Sequence, residues 1–90
     1  MRFEWNASKA RSNKRKHDVS FDEAASAFFD SLSTTGNDPD HSFEEHRFVT
    51  FGISSSGRLL VIGHTEDGDT IRIITARIAT VAERRLYEEG

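Results

Sequence analysis

The chain is predicted to fold as a single α+β domain, an antiparallel β-sheet with two N-terminal helices packed on one face and a short C-terminal helix. Three observations predict it. From Ser20 onward apolar residues recur at helical spacing, two turn sequences separate stretches rich in β-branched residues, and a helix-start motif follows the last of those stretches. Ninety residues with 36% hydrophobic content supply one core and not two, so residues 1–90 are read as one domain.

Arg2 to Trp5 reads as a short strand, expected to join the sheet. Asn6 is placed to cap a helix from about Ala7 to His17, whose inward stripe is only Ala10, Asn13 and His17. In the second helix Ser20 and Glu23 have capping-box spacing, and Phe21, Ala24, Ala25, Phe28, Phe29 and Leu32 form its expected core face. Gly36 to Ser42 reads as loop, because the single proline, Pro39, falls in the most turn-like stretch, Thr34 to His41. Strands are then expected over Arg47 to Ser54, Arg58 to Thr65 and Thr70 to Ile78, joined by turns at Ser55-Ser56-Gly57 and Glu66-Asp67-Gly68-Asp69. A second capping box, Thr80 with Glu83, opens a short helix through Arg84, Arg85 and Tyr87.

Without cysteine the chain can form neither a disulfide framework nor a thiolate metal site, which fits a reducing cytosol. The longest apolar run, Leu59 to Gly63, is far short of the roughly 20 residues of a membrane span. The N-terminus also lacks the apolar stretch of a signal peptide, so a soluble, cytoplasmic protein without membrane contact is expected. Asn6-Ala7-Ser8 is accordingly a helix start, not a glycosylation acceptor. A net charge of −3 would argue against nucleic acid, but the charge is segregated. Arg2, Lys9, Arg11, Lys14, Arg15 and Lys16 face only Glu4 in the first 17 residues, the middle of the chain is strongly acidic, and residues 71–90 are again slightly basic. A basic helix and a basic C-terminal region can make one positive face, suited to RNA or to an acidic protein.

Several separated motifs carry a resemblance over nearly the whole chain: Phe3-Glu4-Trp5; Lys9-Ala10 with Asn13 and Lys16-His17; Val19-Ser20-Phe21 with Glu23-Ala24; and Asp38-Pro39-Asp40-His41-Ser42 with Glu45 and Arg47. Gly57-Arg58-Leu59-Leu60-Val61 with His64-Thr65 follows, then Arg72 to Arg77 with Ala79-Thr80, Glu83-Arg84 and Tyr87. In this order and spacing the chain resembles the BrnT toxin family. It departs at Asn6-Ala7, where the family usually has Asp-Pro, and at Asp18, where many relatives have glycine and a left-handed helix cap is expected. The resemblance implies a RelE-like fold and an endoribonuclease toxin of a type II toxin–antitoxin system that inhibits translation. It also implies a BrnA-like antitoxin as partner, with operator DNA contacted only through that antitoxin. A non-catalytic RNA- or ribosome-binding module is the alternative.

Metal-independent RNA cleavage needs a base for the ribose 2′-hydroxyl, cations for the phosphorane and an acid for the leaving oxygen. Arg77, ending the last strand, is the leading phosphate ligand, against an ion pair with an acid of the middle segment. Arg72 is a second, although strand alternation puts it on the opposite face from Arg77 unless a bulge intervenes. His64 is a candidate base or acid, or else a hydrogen-bonded core histidine. Arg47 is poised between RNA and a loop acid, and Tyr87 with Arg84 between an exposed stacking surface and the core. Lys16 is either solvated or in contact with RNA, and His17 reads as a helix cap. His41 and His46 flank carboxylates at a spacing that matches no metal-ligand pattern, and no metal or other cofactor is expected. Lys14 and Arg15 are assigned to antitoxin binding, on a face expected to be shared with RNA.

Overall fold

The computed structural model describes residues 1–38 and 46–90, and the part of the Asp38 to Ser42 motif beyond Asp38, with His41 and Glu45, lies outside them. The elements are β1 (Arg2–Glu4), α1 (Ala7–His17), α2 (Phe21–Ala27), β2 (Thr34–Asn37), β3 (Phe48–Ile53), β4 (Leu59–Asp67), β5 (Thr70–Ile78) and α3 (Val81–Glu89). They build one sheet in the order β1-β5-β4-β3-β2. The β3–β4 and β4–β5 pairs are antiparallel as expected and β2, which was not expected, pairs antiparallel with β3, whereas β1 runs parallel to β5, Arg2 opposite Thr70 and Glu4 opposite Arg72. The sheet is therefore mixed.

Local chemistry sets the helix ends. Asn6 Oδ1 accepts the Lys9 N–H at 3.0 Å, and α1 stops at Asp18, whose φ of 56° is left-handed and whose N–H reaches the Lys14 carbonyl. Ser20 Oγ caps α2 through the Glu23 N–H, but the Glu23 carboxylate does not close the expected box. It instead accepts from Ser54, Ser56 and Arg58 across the β3–β4 turn. The second helix is also shorter than its apolar spacing predicted. It ends at Ala27, so Phe28 stays packed while Phe29 and Leu32 are 70% and 69% exposed. Beyond it the Asp30 carboxylate takes the N–H groups of Ile53 and Leu32, and the chain enters β2, an exposed polar edge strand where a loop was expected.

Helices α1 and α2 cover one sheet face, as predicted. Leu60, Ile62, Ile71, Ile73 and Ala76 meet Val19, Phe21, Ala24 and Ala27 there. A methyl group at Gly52 would overlap the Ala27 carbonyl, so only glycine lets α2 approach so closely. Two features secure β5. The pairing shifts between Gly63, opposite Thr75, and His64, opposite Ile73, which leaves Ile74 as the extra residue of a β-bulge. The bulge changes the phase of the strand, so Ile71, Ile73 and Ala76 all face the helices although Ile73 and Ala76 are three apart. Just beyond it, the buried Asn13 amide acts as a short strand of its own. It donates to the carbonyls of Ala76 (2.8 Å) and Val19 (3.0 Å) and accepts the Ala76 N–H (3.1 Å).

Replacing Asn13 by Ala strands three backbone groups in a dry site, each worth about 1–3 kcal/mol when unsatisfied. Asn13→Ala is expected to cost roughly 2–4 kcal/mol in urea denaturation. A loss below about 1 kcal/mol would mean that water replaces the amide.

Candidate nucleic-acid interface

The bulge decides which side chains share the open face of the sheet. Ile71, Ile73 and Ala76 point to the helices, so Arg72 and Arg77 both point away from them, although the two are five positions apart. Gly63 and Thr75 are opposite each other on this open face, where a Cβ at Gly63 would lie 2.6 Å from Thr75 Oγ1. Alternation from the start of β3 places Arg47 there too. Arg47 and Asp38 line a cavity of about 90 Å³ with Gly63, Ile74 and Thr75. Successive open-face rows lie about 7 Å apart along a strand, comparable to the phosphate spacing of an extended nucleic-acid strand.

Carboxylates hold the arginines of this surface. The Arg77 fork donates to both oxygens of Glu83 at 2.7 and 2.8 Å, the bidentate geometry that guanidinium also offers to phosphate. Arg77 hydrogen bonding drives the Glu83 pKa down to about 2, and Glu83 also accepts from the Thr80 backbone, completing the expected capping box. Arg72 contacts Glu4 at 3.4 Å, and Arg84 contacts Glu88 at 3.6 Å, both in the open. The acid paired with Arg77 thus comes from the terminal helix and not from the middle segment. No residue of α3 is buried. Besides Glu83, its one other partly covered side chain is Tyr87, whose hydroxyl donates to Asp30 at 2.5 Å. That bond raises the Tyr87 pKa to about 12, so Tyr87 holds its proton and tethers α3 to the α2–β2 junction.

His64 lies on the other side. It is fully buried on the helix face, stacked on Phe48 and edge-on to Phe28, with Nε2 at 2.7 Å from Thr50 Oγ1. Thr50 in turn bonds Thr35 Oγ1 at 2.7 Å, and Glu66 lies 3.6 Å from His64 Nδ1. This placement is the core histidine of the two readings. Lys16 and His17 are exposed on α1, and the stripe expected from Ala10 to His17 is buried only at Asn13. With Lys9, Lys16 and His17 line a cavity of about 220 Å³ that shares Ile74 and Thr75 with the Arg47 cavity. Lys14 and Arg15 lie beside Trp5 and Phe21, with Lys14 Nζ 3.0 Å from Asp18.

The single positive face expected from the charge distribution is therefore two faces. The basic helix covers one side of the sheet and Arg72 and Arg77 occupy the other, with the bulged edge of β5 between them. Sequence spacing gave Glu83 its cap, but nothing in it marked the fork to Arg77, and Asp30 carried no signal at all.

A family model described as the ribonuclease toxin BrnT of a type II toxin–antitoxin system matches residues 5–83. The crystal structure of the Brucella abortus ribonuclease toxin BrnT superposes with a TM-score of 0.64 at 17% identity, covering 89% of this chain and 97% of that one. The shared architecture is the RelE-like α+β arrangement. No curated protein matches the chain.

Burial lowers the His64 pKa from its ordinary 6.5, so the folded protein resists a proton that the unfolded chain accepts. Stability from this source is present above pH 6.5 and lost as pH falls below it. Glu23 and Glu83, both held down to about 2, lose their contribution lower, between 4.5 and about 2. Tm is expected to fall in two stages on acidification, and His64→Gln, which keeps a partner for Thr50, should remove the first stage only. An unchanged slope just below pH 6.5 in that variant would assign the first stage to another group.

Proposed function

Because the chain belongs to the BrnT family of ribonuclease toxins of type II toxin–antitoxin systems, we propose that it cuts RNA endonucleolytically without a metal ion, arresting translation and growth in the cytoplasm. A BrnA-like antitoxin neutralises it, and operator DNA is met only through that antitoxin. One observation carries the site assignment: the bulge sets Arg72 and Arg77 on one open face, with the Arg77 fork already in bidentate contact with an anion.

In this reading an RNA phosphate replaces Glu83 on the Arg77 fork. The guanidinium then neutralises the charge that builds on the phosphorane as the 2′-oxygen attacks. Glu83, a carboxylate at neutral pH, is left beside the substrate as acceptor for the 2′-hydroxyl proton, while the P–O5′ bond breaks and the departing 5′-oxygen takes a proton from water, leaving a 2′,3′-cyclic phosphate. Arg72 and Arg47 hold flanking phosphates, and Lys16 guides the strand around the β5 edge. Tyr87 is a positioning residue, fixing α3 and hence Glu83 through Asp30, and Arg84 meets RNA on the exposed side of the same helix. His64 has no direct part, since its ring is sealed under the helices. That burial also favours a second reading, an RNA- or ribosome-binding module without chemistry, because it removes the proposed imidazole base from the arginines.

Purified protein in EDTA is expected to cut RNA, and Arg77→Ala to slow cutting by about 100-fold, the usual cost of losing one preorganised donor to a developing oxyanion. Intact RNA with and without added magnesium, but with salt-sensitive binding retained, would select the non-catalytic reading. A separate result is expected from Glu83→Gln: it should tighten RNA binding by freeing the Arg77 fork, lower Tm by weakening α3, and reduce the rate at saturating RNA. An unchanged saturating rate would remove Glu83 from the proton transfer.

A further inference from the structure

Between α1, α2 and the end of β1 lies a concave surface of about 360 Å³. Its floor is carbon: Phe21 is buried, and the half-buried Trp5 and Ala10 complete it. Arg11, Lys14 and Arg15 stand exposed around it, with Asp22 at its mouth. We propose that this groove is the docking site for an acidic segment of the antitoxin, one apolar side chain seated on Trp5 and Phe21 and carboxylates meeting Arg11 and Arg15. The proposal rests on the family reading that such a partner exists.

Charge complementarity identifies the occupant. Helix α1 contains five Lys or Arg residues and no acid at all. Arg11 and Arg15 are four apart, a like-charge pair that disfavours the isolated helix. Asp18 engages Lys14, which leaves the two arginines to a ligand that brings its own carboxylates. Tryptophan and arginine together are the residue types on which protein interfaces most depend. A polyanionic RNA strand fits less well, because its phosphates would pass the Asp22 carboxylate. The groove also lies across the sheet from Arg72 and Arg77. It supplies affinity, and neutralisation falls to another part of the antitoxin that reaches the open face.

Trp5 is the only tryptophan of the chain, so its fluorescence reports on the groove directly. The probes are the BrnA-like antitoxin of the proposed pair, with any tryptophan of its own changed to phenylalanine, and a short oligouridylate. The antitoxin is expected to blue-shift Trp5 emission and the oligonucleotide to leave it unchanged. The double variant Arg11→Glu, Arg15→Glu alters only exposed helix positions. It should weaken antitoxin binding at low salt by about 100-fold, on the scale of a lost pair of interface arginines, and leave RNA cleavage at the wild-type rate. Arg11→Gln, Arg15→Gln, which introduces no repulsion, should lose less. The proposal is overturned if the antitoxin neither shifts Trp5 nor discriminates against the reversed charges. It is equally overturned if the oligonucleotide shifts Trp5 and the reversals slow cleavage, which would make the groove an RNA subsite. A protein that never cuts RNA but shows the antitoxin shift would sink the ribonuclease reading and leave the groove assignment standing.

Discussion

The single extra residue in β5 is the constraint from which the arrangement of the molecule follows. Without it, strand alternation would place either the second half of the strand or the first with the wrong side toward the helices. Ile74 absorbs the mismatch, so Ile73 and Ala76 both reach the core while Arg72 and Arg77 both reach solvent. A bulge leaves backbone groups in need of partners, and the Asn13 amide supplies them at Ala76, two residues on. The same side chain also ties the α1–α2 connection to this point through the Val19 carbonyl. Core packing, the seat of the basic helix and the alignment of the open-face arginines are thus one local solution.

The open face is in a self-neutralised state. Arg77, Arg72 and Arg84 each have a carboxylate neighbour, and the tightest of these pairs is formed by a residue that also caps its own helix. Such pairing has a cost and a use. The ligand must exchange one anion for another, which weakens binding, but arginine side chains already ordered by a carboxylate lose less conformational freedom when a phosphate takes its place. Exposed pairs such as Arg72 with Glu4 contribute little to stability and exchange easily. The Arg77 pair, more sheltered and anchored in a helix cap, is the one whose opening reorganises structure.

Most of the elements were legible in the sequence because their signals are local. Asn6, Ser20 and Thr80 mark helix starts, Gly57 and Gly68 take the positive φ values of 82° and 60° that their turns require, and Asp18 adopts the left-handed cap. What escaped was non-local. Phe29 and Leu32 keep helical spacing after the helix has ended, since Asp30 is committed to Ile53 on another strand. Thr34–Asn37 has no apolar alternation to announce a strand, and its pairing comes from β3. The direction of β1 comes from its long-range pairing with β5, across two helices and three strands of sequence, and not from its own three residues. For the site, residue types were readable, and Arg72 with Arg77 hinged on a bulge that spacing could pose as a question but not answer. Charge counting along the chain merged two regions that the sheet keeps apart.

The manner in which α3 is attached divides the molecule by the solvents to which it responds. Urea acts in proportion to the surface newly exposed, and the heat capacity of unfolding follows mainly apolar exposure. Detaching a helix with no buried residue, fixed by a guanidinium fork at one end and a phenol–carboxylate bond at the other, exposes little of either kind. Its release is thus nearly invisible to denaturant and carries almost no heat-capacity signature. Ionic strength acts on it through the charge pair alone, whereas the core beneath Val19, Phe21 and Ile62 has no charge for salt to screen. Two parts of one small fold are in this way tuned by separate solution variables.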